Sequence, residues 1–315
     1  MEFGLIGKTL KYSESANIFN KYYIDFQLSK HKFQLESTPD NQEINFINPQ
    51  KSEKYYNSNY TLFELENIDE LDLLLTKKPN LRGFNVTIPY KTEIIPRLFS
   101  TSENAQQINA VNCVKIIDNN LYGYNTDWLA FMSSLQNFKL TFPNWDNPKN
   151  FIEIFNLTRQ NLEKYFLNKT FSQNDTSKLL FSKIKKALIL GTGGAAKAVA
   201  YTFKKLNIEF VFATRKRSSN TYINYNELSE NYMSTIGLIV NTTPCGTDGL
   251  GLDLDDVFDF DLIPQNIYLY DLIYNPRLTP FLLYGRDKKN CIVKNGMEML
   301  YLQAIYSWWI WNNNY

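Results

Sequence analysis

The chain has 315 residues, 44% of them hydrophobic and 15% aromatic, and at that length it is expected to form two domains, because single cores divide at about 250–300 residues. Its net charge of +1 gives no electrostatic reason to expect nucleic acid or an acidic membrane surface as partner, and no window reaches the roughly 20 apolar residues of a membrane span. Three scattered cysteines (Cys113, Cys245, Cys291), a single histidine (His31) and a start without signal-peptide features argue against disulfides, His-rich metal sites and a Ser-His-Asp triad, and for a reduced, cytoplasmic protein.

Residues 2–7, Glu-Phe-Gly-Leu-Ile-Gly, read as a first strand. A turn carrying Ser13 and Ser15 follows at the start of a helix; serines so placed either cap it or present hydroxyls and N–H groups to an anion. Residues 38–61 are rich in Asn, Ser, Lys and Tyr without periodicity, which suits a solvated loop or insertion. Over 67–77, Ile68, Leu71, Leu74 and Leu75 share one helical face.

Phe84, Val86 and Ile88 then alternate with small or polar residues, as in a short, partly buried strand. Pro89 removes a donor and ends the ladder, so Lys91 falls in the turn beyond. A helix is expected over 102–108, and a hairpin across Asp118-Asn119-Asn120, whose asparagines accept the left-handed turn. Asn112 and Asp127 each follow a short apolar run, and strand ends are where open α/β folds keep their chemistry. A lysine, a carboxylate and neutral polar groups converging there suit a polyhydroxylated substrate; a surface Lys–Asp pair with turn asparagines is the plain alternative. A helix over 128–138 leads out of the first domain. Residues 140–183 add a segment with an amphipathic helix near 150–167, read as an outer decoration, with a dimer contact or a lid as the other uses.

The second half opens with an apolar run into Gly191-Thr192-Gly193-Gly194-Ala195-Ala196, followed by a good helix former to Leu206. Gly191 permits a tight turn, Gly193 lets the backbone approach a pyrophosphate, and Ala196 allows close helix–strand packing. The strand 209–213 ends at Thr214-Arg215-Lys216-Arg217. Consecutive cations without a carboxylate favour a ribose 2′-phosphate, hence NADPH over NADH. A third strand, 236–240, ends in Asn241-Thr242-Thr243-Pro244-Cys245-Gly246. An acidic loop over 247–262 and a strand at 267–270 follow, before Asp271-Leu272-Ile273-Tyr274-Asn275-Pro276. The last helix runs to Trp311 and carries Gly296 and Gln303 on one face. Its tryptophans read as packing.

Asn85-Val86-Thr87-Ile88-Pro89-Tyr90-Lys91, Ala110-Val111-Asn112 and Asn125-Thr126-Asp127 resemble, in the same order, three blocks of the shikimate dehydrogenase family. The resemblance implies a two-domain α/β fold: a substrate-binding domain at 1–138 with the C-terminal helix (296–315) packing back on it, an insertion at 139–183, and a Rossmann-type NADP-binding domain at 184–295. It implies Lys91 and Asp127 as the catalytic pair. Ser13 and Ser15 would hold the substrate carboxylate, and Thr87, Asn112, Tyr274 and Gln303 the rest of the substrate. Cofactor contacts would come from Gly191, Gly193, Gly194, Ala195, Thr214, Arg215, Lys216, Thr243, Leu272 and Gly296.

The implied reaction is NADPH-dependent, reversible reduction of 3-dehydroshikimate to shikimate in chorismate and aromatic amino acid biosynthesis, by a monomer or homodimer. Thr9, Tyr12 and Ala16 depart from the family's serine-loop pattern, and the segments near 38–61 and 139–183 are unmatched. An NAD-linked quinate/shikimate dehydrogenase and a non-catalytic NADPH- or metabolite-binding regulator are the competing readings. The paired serines and the basic turn oppose the former, and the filled reactive positions oppose the latter.

Overall fold

The computed structural model describes residues 1–11, 13–20, 59–136, 138, 184–215 and 221–312. Tyr12, the segment 21–58, the expected helix near 150–167 and Lys216 lie outside these. The chain divides into two compact units, Met1–Gln106 with Val111–Tyr124 and Ser307–Tyr315, and Gln107–Ala110 with Asn125–Tyr306.

The first unit is built on six described strands: β1 (Glu2–Gly7), β2 (Asn59–Glu64), β3 (Leu81–Val86), β4 (Ser100–Thr101), β5 (Cys113–Ile117) and β6 (Asn120–Tyr124). They form one sheet in the order β2-β1-β3-β5-β6-β4. β1 runs parallel to both neighbours, whereas β3, β5 and β6 pair antiparallel. Phe3, Leu5 and Ile6 of β1 are all buried, as a central strand covered on both faces requires.

β2 corrects the expectation of a loop through residue 61. Its register with β1 buries Tyr60 and Phe63, and Gly4 leaves the space that the Phe63 ring fills. β3 also ends earlier than the alternation suggested. Phe84, Asn85 and Val86 are buried on both faces, whereas Ile88 is 64% exposed.

A 3-10 turn (Ile68–Glu70), capped by the Asn67 side chain accepting from the Asp69 N–H at 3.0 Å, leads into α1 (Leu71–Lys77). α2 (Glu103–Ile108) follows β4. The β5–β6 hairpin turns through Asp118 and Asn119 at φ 48° and 63°, the left-handed pair that matches strand twist. The end of the C-terminal helix belongs to this unit. Trp311 stacks on Phe3 at 4.8 Å and donates from Nε1 to the Val114 carbonyl at 2.9 Å, over a space that Gly83 keeps open.

The second unit begins with α3 (Asp127–Gln136) and continues through β7 (Lys186–Leu190), α4 (Gly194–Leu206), β8 (Glu209–Thr214), β9 (Tyr222–Asn224), α5 (Glu230–Met233), β10 (Leu238–Asn241), β11 (Tyr268–Asp271), α6 (Pro280–Lys289), β12 (Ile292–Lys294) and α7 (Met297–Asn312). Its described strands form an all-parallel sheet, β12-β11-β10-β7-β8-β9. Counted within the unit this is the dinucleotide-binding order 3-2-1-4-5-6, which reverses between β7 and β10.

α3 is buried along its length and packs on α4, with Phe131 against Phe203 at 5.7 Å and the Thr202 hydroxyl donating to the Trp128 carbonyl at 3.0 Å. The stretch 247–262 is tied down more firmly than an acidic loop suggests. Leu254, Phe258 and Phe260 enter the core, and Phe260–Leu262 forms a 3-10 turn. The edge strands β9 and β12, of three residues each, were not read from the sequence. They are too short to show a period.

Candidate active site

In the first unit, β1 and β3 are parallel, so the loops after both open on one edge of the sheet. β5 is antiparallel to β3, which brings Asn112, just before β5, to that edge as well. Main-chain hydrogen bonds fix the group. Thr87 N–H donates to the Ile6 carbonyl at 2.9 Å, Val86 N–H to the Asn112 carbonyl at 2.9 Å, and Val111 N–H to the Lys91 carbonyl at 2.7 Å. The Thr87 methyl group occupies the space beside Gly7, where an added Cβ would come to 2.6 Å. Thr87, Lys91 and Asn112 are thus held in one neighbourhood, Asn112 buried and the other two partly so.

The loop after β1 turns back through Ser13, whose N–H donates to the Leu10 carbonyl at 2.9 Å, and the Ser13 hydroxyl accepts from the Ser15 N–H at 3.3 Å. Ser15 starts the helical residues 15–20 and is buried. Behind this edge, Asn85 is satisfied on all sides. It donates to the Asn112 carbonyl at 3.0 Å and to Ser307 at 2.7 Å, and accepts from the Tyr60 hydroxyl at 2.9 Å. Satisfied this way, a buried amide stiffens the turn that carries Asn112.

In the second unit, Asp127 is the first residue of α3 and is buried. Asn125 accepts from the Trp128 N–H at 3.3 Å and donates to the Ala110 carbonyl at 2.9 Å, setting the approach to the helix. The Thr126 hydroxyl donates to the Gln303 carbonyl at 3.3 Å, so Asp127 and Gln303 share a neighbourhood. A carboxylate in the first turn also sits favourably in the helix dipole.

The crevice for a dinucleotide is expected where the strand order reverses, at the carboxyl ends of β7 and β10. Gly191 there has φ 100°, a left-handed conformation suited to glycine, with Thr242 and Thr243 within 3.0 Å of where a Cβ would stand. Around Gly193 nothing lies within 4 Å of an added Cβ. Gly193 is the N-cap of α4 and caps with no side chain, so the first-turn N–H groups of Gly194 and Ala195 have no side-chain cap. Open backbone at a long helix's start is what a pyrophosphate requires, and these residues fit the group. Thr214 ends β8 and Arg215 is exposed just beyond it, its carbonyl accepting from Asn224 at 2.8 Å. Nearby Tyr225 was overlooked in the sequence; burial pushes its phenol up to about 12, while the Gly191 backbone and Arg215 pull it down.

Beside the same crevice, Asn241 and Asp271 end β10 and β11 as paired residues. Asp271 Oδ1 accepts from Asn241 Nδ2 and from the Ile273 N–H, both at 3.0 Å, and Oδ2 accepts from the Thr279 hydroxyl at 2.7 Å. Burial pushes the carboxyl up to about 7 against the pull of these three bonds. Asn241 in turn accepts from the Thr243 hydroxyl at 2.7 Å and N–H at 3.0 Å. Leu272 N–H donates to the Asn241 carbonyl at 2.9 Å, and Gly296 N–H to the Ile273 carbonyl at 2.9 Å. An added Cβ at Gly296 would stand 1.9 Å from the Leu272 carbonyl oxygen. Leu272, Thr243 and Gly296 are therefore brought together, with Tyr274 two residues along and partly buried. The sequence carried one sign of this cluster, a polar residue closing each apolar strand.

Among the described residues, no group of His, Cys, Asp and Glu could hold a metal ion, and no helix is long and apolar enough to cross a membrane. The family model for the shikimate dehydrogenase substrate binding domain matches residues 45–114. The shikimate dehydrogenase (NADP(+)) of Staphylococcus aureus is 31% identical over 262 residues, covering 80% of this chain and 81% of that protein. That of Clostridium botulinum is 29% identical over 317 residues, covering 98% and 95%. Among solved structures, shikimate dehydrogenase 1 from Peptoclostridium difficile is 29% identical, with a TM-score of 0.65 over 100% of this chain and 92% of that one. With these sequence blocks, these two sheets and these relatives, the chain belongs to the shikimate dehydrogenase family.

Proposed function

We propose that the protein is an NADP-dependent shikimate dehydrogenase, catalysing the reversible reduction of 3-dehydroshikimate to shikimate. The observation that carries this is the second unit's open glycine turn, leading into a helix start without a side-chain cap and followed by a basic residue after β8, in a chain whose first unit gathers Thr87, Lys91 and Asn112 at one sheet edge. When bound, NADPH supplies the hydride.

The chain's residues bind, orient and protonate. Lys91 gives a proton to the developing alkoxide and takes it back in the reverse direction, with Asp127 as its carboxylate counterpart and a ligand for a substrate hydroxyl. Ser13 and Ser15 receive the substrate carboxylate. Thr87, Asn112, Tyr274 and Gln303 orient the ring and its hydroxyls. Gly191, Gly193, Gly194 and Ala195 cradle the pyrophosphate; Thr214, Arg215 and Lys216 take the 2′-phosphate; Thr243, Leu272 and Gly296 flank the nicotinamide.

The functional division runs 1–138 with 296–315 for substrate and 184–295 for cofactor, although α3 and the first part of α7, up to Tyr306, group by packing with the second unit. We assign the enzyme to the cytoplasm, in keeping with three cysteines scattered at no close spacing. The test is spectrophotometric. Purified protein should reduce NADP⁺ with shikimate far faster than NAD⁺ with quinate; the reverse preference, or no turnover with either pair, would refute the reading.

A further inference from the structure

Asp271 is fully buried and so has no surface to offer substrate or cofactor. Yet it is the point where three pieces of chain meet. Asn241 ends β10, Ile273 follows β11, and Thr279 caps α6 through its hydroxyl, which also accepts from the Leu282 N–H at 3.4 Å. The three partners all donate to it. Asn241 uses its oxygen on the two Thr243 donors, so only its Nδ2 is left for Asp271. The Thr279 hydroxyl accepts from Leu282 and gives its one hydrogen to Asp271. A side chain accepting at both oxygens is what the position demands.

The bonds lead outward to Leu272 and Thr243, which are both partly exposed. Leu272 is pinned on both sides, by the bond of its N–H to Asn241 and by Asp271's hold on Ile273. Its carbonyl oxygen stands where a Cβ at Gly296 would have to go, so the two segments pack closely. Thr243 is held at second hand through Asn241.

We propose that Asp271 is the positioning residue of the nicotinamide end of the cofactor site, setting Leu272 and Thr243 through one shared carboxylate. The inference rests on the NADP-linked reading above. It predicts a larger effect at the nicotinamide end than at the glycine turn, which Asp271 meets only at third hand, through Asn241 and the packing of Thr243 against Gly191. A plug with a purely structural role would treat both ends of the cofactor alike.

The experiment compares two probes on wild-type protein, Asp271→Ala and Asp271→Asn at pH 8. The probes are NADPH and 2′-phospho-ADP-ribose, the same nucleotide without its nicotinamide. Asp271→Ala should weaken NADPH about tenfold and leave the truncated nucleotide within about twofold, while kcat with shikimate falls at least about tenfold from misorientation. Asp271→Asn keeps an acceptor for Asn241 and Ile273, so its loss should be smaller, about threefold and again confined to NADPH. Equal weakening of both probes, or no weakening of either, overturns the proposal. Should Asp271→Ala fail to fold, Asp271→Asn decides it by the same selectivity. Absence of shikimate turnover in the wild type would instead strike the proposed reaction and leave the two binding curves to judge Asp271.

Discussion

In the first unit the turn carrying Lys91 is held by its own main chain, the Lys91 carbonyl accepting from Val111 at 2.7 Å. In the second, the loops around Leu272 are held by side chains, with Asn241 and Thr279 closing on a buried Asp271. The first arrangement separates geometry from chemistry at Lys91, because that residue's side chain can be exchanged without breaking the main-chain bond that shapes the turn. The second joins them. A side chain that shapes the loop is buried, and losing it leaves donors unmatched at about 1–3 kcal/mol each.

The largest test of this contrast is Lys91→Ala. It should lower kcat by roughly 10²–10⁴, the usual worth of a positioned acid–base group, with the melting temperature almost unchanged. A large fall in melting temperature, or near-normal turnover, would break the comparison on the first-unit side.

Two glycines of the second unit sharpen it. Gly296→Ala drives a methyl group into the Leu272 carbonyl and should cost about 1–3 kcal/mol of stability, together with NADPH affinity, since the main chain cannot yield cheaply. Gly193→Ala meets nothing within 4 Å. It should fold normally and still bind NADPH about tenfold more weakly, by standing where the pyrophosphate approaches. Thermal unfolding and titration with NADPH distinguish the two outcomes.

The last effect is the pH dependence of stability. Burial raises the Asp271 carboxyl from its ordinary value of 3.8 to about 7. Between those values the folded chain keeps a proton that the unfolded chain releases, so this group's contribution is fully present below about pH 4 and is lost as pH rises through about 7. The shift of about three units corresponds to an upper bound on the order of 4 kcal/mol. Asp271→Asn has no such proton to lose. On going from pH 5 to pH 8, wild type should therefore lose stability relative to Asp271→Asn in urea titrations. Parallel curves would show that the carboxyl is already ionised throughout.

Much of the fold was legible because its signals are local. The run 186–190 into Gly191 and Gly193 announced a strand, a turn and a helix within one short stretch. Asp118 and Asn119 took the positive φ values that the hairpin needs, and the apolar face of 67–77 produced its helix. The short strands β9 and β12 were hidden because three residues carry no period, and β2 because its hydrophobic residues follow a long polar stretch. Ile88 misled by continuing an alternation after the chain had already turned, leaving it exposed.

The amino-acid sequence by itself determined the order of the motif blocks, the glycine turn after an apolar strand, and the placing of Lys91 in a turn beyond a strand end. Each depends on residues a few positions apart, whose backbone preferences act locally. Only the tertiary structure decided that Asp271 meets Asn241 and Thr279, that Gly296 has no room beside Leu272, and that Trp311 seats over Gly83. Those are matters of distance between remote segments and of burial on every side, and an aspartate at a strand end reads the same whether water or three donors surround it.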